Sequence, residues 1–154
     1  MTRLLWTLPV LVLLAACGGG GGAKKADYLK KAEAICSKAN TDQDALTSPT
    51  AVADIPPYID KVLALADQAT SDLKALEVPK GDKAELDKRF LVPLSKQVEE
   101  GRTFGEKVTA AAKTKDNATL TKLISHPPLA TKADLTWMKR YGFKECVKAA
   151  DTES

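Results

Sequence analysis

The chain has 154 residues, 28% of them charged, with 23 basic and 20 acidic side chains and a formal net charge of +3. Such a near-balance, spread along the chain, excludes the concentrated basic footprint of a nucleic-acid-binding protein, and the length suits one domain with a real core rather than two. Alanine, lysine, leucine and aspartate are plentiful while β-branched and aromatic residues are sparse, which favours helix over strand.

In chain order, the first element is a leader. Met1-Thr2-Arg3 precede the mainly apolar run Leu4 to Ala16, the layout of an export signal. Its thirteen residues include Thr7 and Pro9 and fall short of the ~20 needed to span a bilayer. The run Leu14-Ala15-Ala16-Cys17 resembles the lipobox of bacterial lipoprotein precursors. That resemblance implies loss of residues 1–16, a diacylglycerol thioether on Cys17, and an address on the extracytoplasmic face of the cell membrane. The competing reading is a secretory signal cleaved near Ala16, which would leave an unpaired thiol in an oxidising compartment. Residues 17–25 then read as lipidated cysteine and tether, because five glycines (Gly18 to Gly22) neither pack nor hold a helix. Lys24 and Lys25 either keep this linker soluble, the simpler reading, or touch anionic headgroups.

Beyond the leader, 138 residues remain, with 22 basic and 20 acidic side chains. If Cys17 carries lipid, the other two cysteines, Cys36 and Cys146, form a pair, and an extracytoplasmic compartment permits their disulfide. No Cys-x-x-Cys spacing favours a redox role, so the pair reads as a structural staple.

The expected domain covers residues 26–150, with 151–154 as a frayed tail. Asp27 is placed to cap a first helix with an inner face of Leu29, Ala32, Cys36 and Ala39, ending near Thr47-Ser48-Pro49. Pro56-Pro57 open a second, with Ile59, Val62, Ala66, Ala69, Leu73 and Leu76 on one stripe. After Val78-Pro79-Lys80-Gly81, Asp82 and Glu85 have capping-box spacing for a third. Its stripe is Phe90, Leu94, Gln97, Gly101, Phe104, Val108 and Ala111; Pro93 predicts a kink and Gly101 a close helix approach. Asp116 or Asn117 caps a short helix with Leu120, Leu123 and Ile124, stopped by His126-Pro127-Pro128. Thr131 and Asp134 have capping-box spacing before Leu135, Trp137, Met138 and Tyr141, and Gly142 suits a left-handed cap that lets Phe143 fold back. The fold expected is all-α: an antiparallel bundle of three long and one or two short helices, stapled by a disulfide.

Chemistry-bearing motifs are scarce. His126 is the sole histidine, without an evident nucleophile or orienting partner, and no P-loop, nucleophile elbow or dinucleotide glycine pattern occurs. No catalytic, cofactor or metal residues are expected. Two features bear on binding. Lys139, Arg140, Lys144 and Lys148 interleave with Trp137, Tyr141 and Phe143; this is either a surface for an acidic polymer, headgroup or partner, or a core-facing aromatic cluster beneath solvated lysines. The site residues taken for the first reading are Trp137, Lys139, Arg140, Tyr141 and Lys144, while the second is preferred. Around the kink, Phe90, Pro93 and Gly101 either open a pocket between helices or bend around a filled core, again the preferred reading.

Ala34-Ile35-Cys36, Leu76-Glu77-Val78-Pro79 and Tyr141-Gly142-Phe143 before Cys146 are similar to motifs of small actinobacterial lipoproteins of unassigned function. The resemblance covers most of the chain beyond Cys17 and implies a helical fold with one disulfide. The functional expectation is a membrane-anchored, non-enzymatic binding module of the cell envelope, contacting lipid through Cys17 and an envelope protein through its bundle. The alternative is a carrier of an apolar molecule held between helices.

Overall fold

A computed structural model describes residues 22–126 and 133–151. The chain builds α1 (Gly22–Asp44), a 3-10 turn (Val52–Asp54), α2 (Ile55–Ala75), a long α3 (83–113), α4 (Asn117–Ser125), α5 (Leu135–Tyr141) and α6 (Glu145–Asp151). Within α3, α-helical Lys83–Leu86 and Val92–Lys113 flank a π-helical turn, Asp87–Leu91. No strand occurs among the described residues, and none of their helices is long and apolar enough to cross a membrane. The fold is thus all-α and joined by a Cys36–Cys146 disulfide. Three long helices match expectation, and the short ones number three because Cys146 lies within a helix of its own.

Helix α2 lies between α1 and α3. Its contact with α3 is set by small residues. A Cβ on Gly101 would come within 2.8 Å of Leu63, and one on Gly105 within 3.1 Å of Ile59 and 3.3 Å of Leu63. Residue numbers rise along one helix as they fall along the other, so the pair is antiparallel. Gly101 is the close approach expected, while Gly105, the more buried of the two, was absent from the predicted stripe. The inner face of α3 also uses Val98 where the stripe had Gln97, which is half-buried. The π turn adds a residue and rotates the downstream face relative to an unbroken 3.6-residue period.

Pro93 accounts for that turn. It lacks the N–H that would bond the Arg89 carbonyl, and its ring crowds the same group. The Arg89 carbonyl accepts the Asp134 N–H at 3.4 Å instead, and the Ser95 hydroxyl donates to Leu91 O at 2.7 Å. The interruption is therefore where the start of α5 docks.

Helix ends follow local chemistry with five corrections. Helix α1 begins at Gly22, so Asp27 lies inside it rather than capping it, and residues 22–25 are helical rather than tether. Ala23 to Ala26 is a run of good helix formers that propagates upstream of the aspartate. The same helix stops at Asp44, short of Pro49; its end tightens as the Leu46 N–H bonds Gln43 O, three residues back. Asp82 precedes α3 but makes no side-chain cap, because its carboxylate accepts the Tyr141 hydroxyl at 2.7 Å. The cap of α5 is Asp134, which accepts the Trp137 N–H at 2.9 Å; Thr131, the expected cap, lies outside the described residues. Finally, Asp151 is the last residue of α6, not the start of a tail. Asp116 caps α4 through the Thr119 N–H at 3.0 Å, and Gly142 closes α5 with φ 119° and its N–H on Met138 O, both as the residue types predict.

Two apolar clusters fill the bundle. One gathers Tyr28, Ala32 and Cys36 of α1, Leu73 of α2, Leu86, Phe90 and Leu91 of α3, Met138 of α5, and Phe143, Cys146 and Val147. The other, at the opposite end, has Val108, Ala111 and Leu120, with Ile55, Ile59, Phe104 and Leu123 packed around them.

Candidate functional site

The C-terminal segment lies along α1 in matched register. Lys25 stands over the Tyr141 ring, Gly142 faces Leu29, the Lys144 and Glu145 N–H groups meet Glu33, and Cys146 bonds Cys36. One turn on, the Asn40 amide donates to Glu145 O at 3.0 Å. Residue numbers rise together, so this segment is parallel to α1. Glu33 is the decisive side chain. Its two carboxylate oxygens accept the Lys144 N–H at 3.0 Å and the Glu145 N–H at 2.8 Å, capping α6 from a different helix. With α6 so placed, Cys36 and Cys146 sit 4.9 Å apart between Cα atoms, on the inward face predicted for Cys36. Cys17 lies outside the described residues.

The aromatic residues of the C-terminal region turn inward. Phe143 is buried and meets Phe90 at 4.7 Å and Tyr28 at 6.4 Å between ring centroids. Trp137 and Tyr141, one helical turn apart, stack at 4.8 Å, and Tyr141 stacks on Phe143 at 5.4 Å. Both are half-buried, while Lys139, Arg140 and Lys144 are exposed. The five residues singled out for binding therefore divide: two belong to the aromatic cluster, and three form a basic outer face above it. The Lys25 ammonium, 3.9 Å from the Tyr141 ring centre, adds a cation–π contact at the same place.

Charged and phenolic groups here are held by specific partners. Burial, and then the hydrogen bond to Asp82, raise the Tyr141 pKa above its ordinary value. Burial, with the nearby Asp87 charge adding to it, pushes Tyr28 up to about 12. The Tyr28 hydroxyl is buried without a hydrogen-bond partner. Asp134 is held below the usual carboxylate range by the Trp137 N–H and by Arg89, whose Nη1 donates at 2.7 Å while its Nε donates to Glu85 at 2.5 Å. The Arg89–Asp134 pair thus ties α3 to α5 beside the freed carbonyl.

A groove of about 440 Å³ runs along α3 and the end of α2, lined by Lys74, Val78, Leu91, Val92, Ser95, Lys96 and Glu99, with the Lys83–Asp87 ion pair at its rim. Sequence reading placed a possible pocket elsewhere, around Phe90, Pro93 and Gly101. There Phe90 is buried in the aromatic cluster and Leu63 fills the space beside Gly101, so the bend wraps a packed interior. His126 is exposed at the end of α4, with 127–132 beyond the described residues. Among the described residues no three His, Cys, Asp or Glu side chains are placed to hold a metal ion.

Sequence reasoning missed Glu33, Arg89 and Tyr28. Each finds its role across a long sequence separation, and none carries a local motif. No family model, curated protein or solved structure matches the chain.

Proposed function

We propose that this chain is a lipoprotein of the cell envelope, similar to the small actinobacterial kind. In this reading Cys17 carries the lipid anchor, the bundle stands on the extracytoplasmic side of the membrane, and it acts by binding another envelope component rather than by catalysis. The observation that carries this reading is the Cys36–Cys146 bridge. It uses two of three cysteines and leaves the remaining one, Cys17, directly after a short apolar run and two alanines. A disulfide of this kind belongs to oxidising compartments. The described residues add a helical scaffold with a basic face and a charged groove, both suited to recognition.

Labelling of the native protein with a palmitate analogue tests the anchor. The label is expected on the full chain and lost in Cys17→Ser; label retained in that variant, or absent from both, overturns it. Crosslinking in intact cells tests the binding role, with a reproducible envelope partner expected and none recovered counting against it. The alternative, a carrier for an apolar molecule, is weakened by the filled space beside Phe90 and Gly101 and by the five charged groups around the groove.

A further inference from the structure

We propose that Trp137, Tyr141 and Asp82 form a one-electron oxidation site, at which a peroxyl radical is reduced by the indole and the hole comes to rest on Tyr141. The site does not depend on the lipid anchor, so its failure and that of the lipoprotein reading are separate outcomes.

Ring order is the first argument. Trp137 ends the row of stacked rings and is half-buried, so part of its indole meets solvent. It stacks on Tyr141 at 4.8 Å with the ring planes 22° apart, a contact across which an electron passes readily. The next ring inward is Phe143 at 5.4 Å, buried, and a phenyl ring is far harder to oxidise than a phenol.

The proton is the second argument. A phenol gives up an electron easily only when its proton leaves as well. The Tyr141 hydroxyl donates to the Asp82 carboxylate at 2.7 Å, a charge-assisted bond aimed at a base. Asp82 precedes α3 yet makes no side-chain cap, so its carboxylate serves the tyrosine instead. Burial, and then this bond, raise the Tyr141 pKa, so the ring keeps its proton until an electron is withdrawn. The Lys25 ammonium over the ring opposes a bare positive hole there, which ties electron loss to proton loss. Tyr28 shows the contrast. It lies one ring further in, 6.4 Å from Phe143, and its buried hydroxyl has no hydrogen-bond partner. With no base to take its proton, Tyr28 does not accept the hole, which therefore stops at Tyr141.

Each step balances. Trp137 gives an electron to the peroxyl radical and its ring proton to water, and the peroxyl anion takes up a proton to become a hydroperoxide. The indolyl radical then takes an electron from Tyr141 and regains a proton from water. The phenol proton passes to Asp82 and on to water. One peroxyl radical is reduced, and one tyrosyl radical remains.

Pulse radiolysis reads the transfer from Tyr141 to the indole directly. The full chain, held in mild detergent, carries Trp6→Phe and Cys17→Ser as the parent background. Trp137 is then its sole tryptophan, and with Cys36 bonded to Cys146 no free thiol competes. Azidyl radical, which oxidises indole in preference to phenol, starts the reaction. Decay of the indolyl absorption should match growth of the phenoxyl absorption, at a rate independent of protein concentration. Tyr141→Phe, which keeps the stacked ring, should abolish that growth. Asp82→Asn keeps an acceptor oxygen but no base, and should slow it on the order of a hundredfold. Tyr28→Phe and Tyr58→Phe should leave it unchanged. Phenoxyl growth in Tyr141→Phe equal to that of the parent, or an unslowed Asp82→Asn, overturns the proposal. A steady flux of peroxyl radicals from an azo initiator checks the site from the other side. Trp137 fluorescence should be lost faster in Tyr141→Phe than in the parent, because the hole then stays on the indole. Equal loss in the two chains also overturns the proposal.

Discussion

The two ends of the bundle are built differently. At one, eleven buried residues from five helices and the turn after α5 surround a run of stacked rings, closed by a disulfide and by Glu33. At the other, three buried residues, Val108, Ala111 and Leu120, carry the packing, and Ile124 stands about half exposed. The middle relies on Gly101 and Gly105 to bring α2 and α3 close. Free energy to open a protein locally follows the density of buried apolar contacts, so the stapled end should be the last to open and the Leu120 end the first.

Removing the staple should have the largest effect. Cys36 and Cys146 close 110 residues of chain, for which the loop-entropy account gives about 4–5 kcal/mol. That is comparable to the whole net stability of a small domain. Reduction, or Cys36→Ser with Cys146→Ser, is expected to move the urea midpoint sharply down. An unmoved midpoint would mean that the stapled end owes its strength to the aromatic cluster alone.

Core truncation sharpens the contrast. Phe143→Ala removes a ring that touches Phe90, Tyr28 and Tyr141, and should cost about 3–5 kcal/mol. Leu120→Ala lies in the thin cluster, where relaxation is easier, and should fall near the lower limit of about 2 kcal/mol. Native-state hydrogen exchange separates their reach. Leu120→Ala should speed exchange in α4 and the end of α3 while α1 and α6 stay protected, whereas Phe143→Ala should lower protection throughout. Equal reach for both variants would make the bundle one cooperative unit.

How much of this was legible in the sequence depends on the range of the interaction. Asp116, Gly142 and the prolines of α2 act on backbone within four residues, and their roles follow from residue type alone. The Cys36–Cys146 pair was legible by elimination and by the inward phase of Cys36. Glu33 was not, because its partners lie 111 and 112 residues away and a half-buried glutamate on a helix carries no mark. Asp82 misled for a related reason: local spacing fitted a cap, but a tyrosine 59 residues on offered a better donor. At Pro93 the break was foreseeable, while its consequence, a freed carbonyl that receives Asp134, required knowing where α5 would lie. The basic face was legible as composition. Its place beside the first turns of α1 was not.

Tyr28 gives the smallest effect at neutral pH and the most specific one in alkali. Its hydroxyl is buried without a partner, so Tyr28→Phe removes an unsatisfied group at little loss of packing and should leave stability unchanged or slightly raised near pH 7. In alkali the two chains should part. The ordinary phenol pKa is 10.0, and burial with Asp87 nearby raises that of Tyr28 to about 12. Between those values the unfolded chain gives up this proton while the folded chain keeps it. The contribution is therefore complete below pH 10 and is lost as pH rises to 12, at most about 3 kcal/mol for two units. Tyr141, raised by burial and by its bond to Asp82, extends the loss to higher pH and remains in the variant. Urea midpoints measured from pH 9 to 12 should thus fall more steeply for the parent than for Tyr28→Phe. Superimposed curves would show that the phenol reaches water in the folded state, and that the stapled end is looser than its packing indicates.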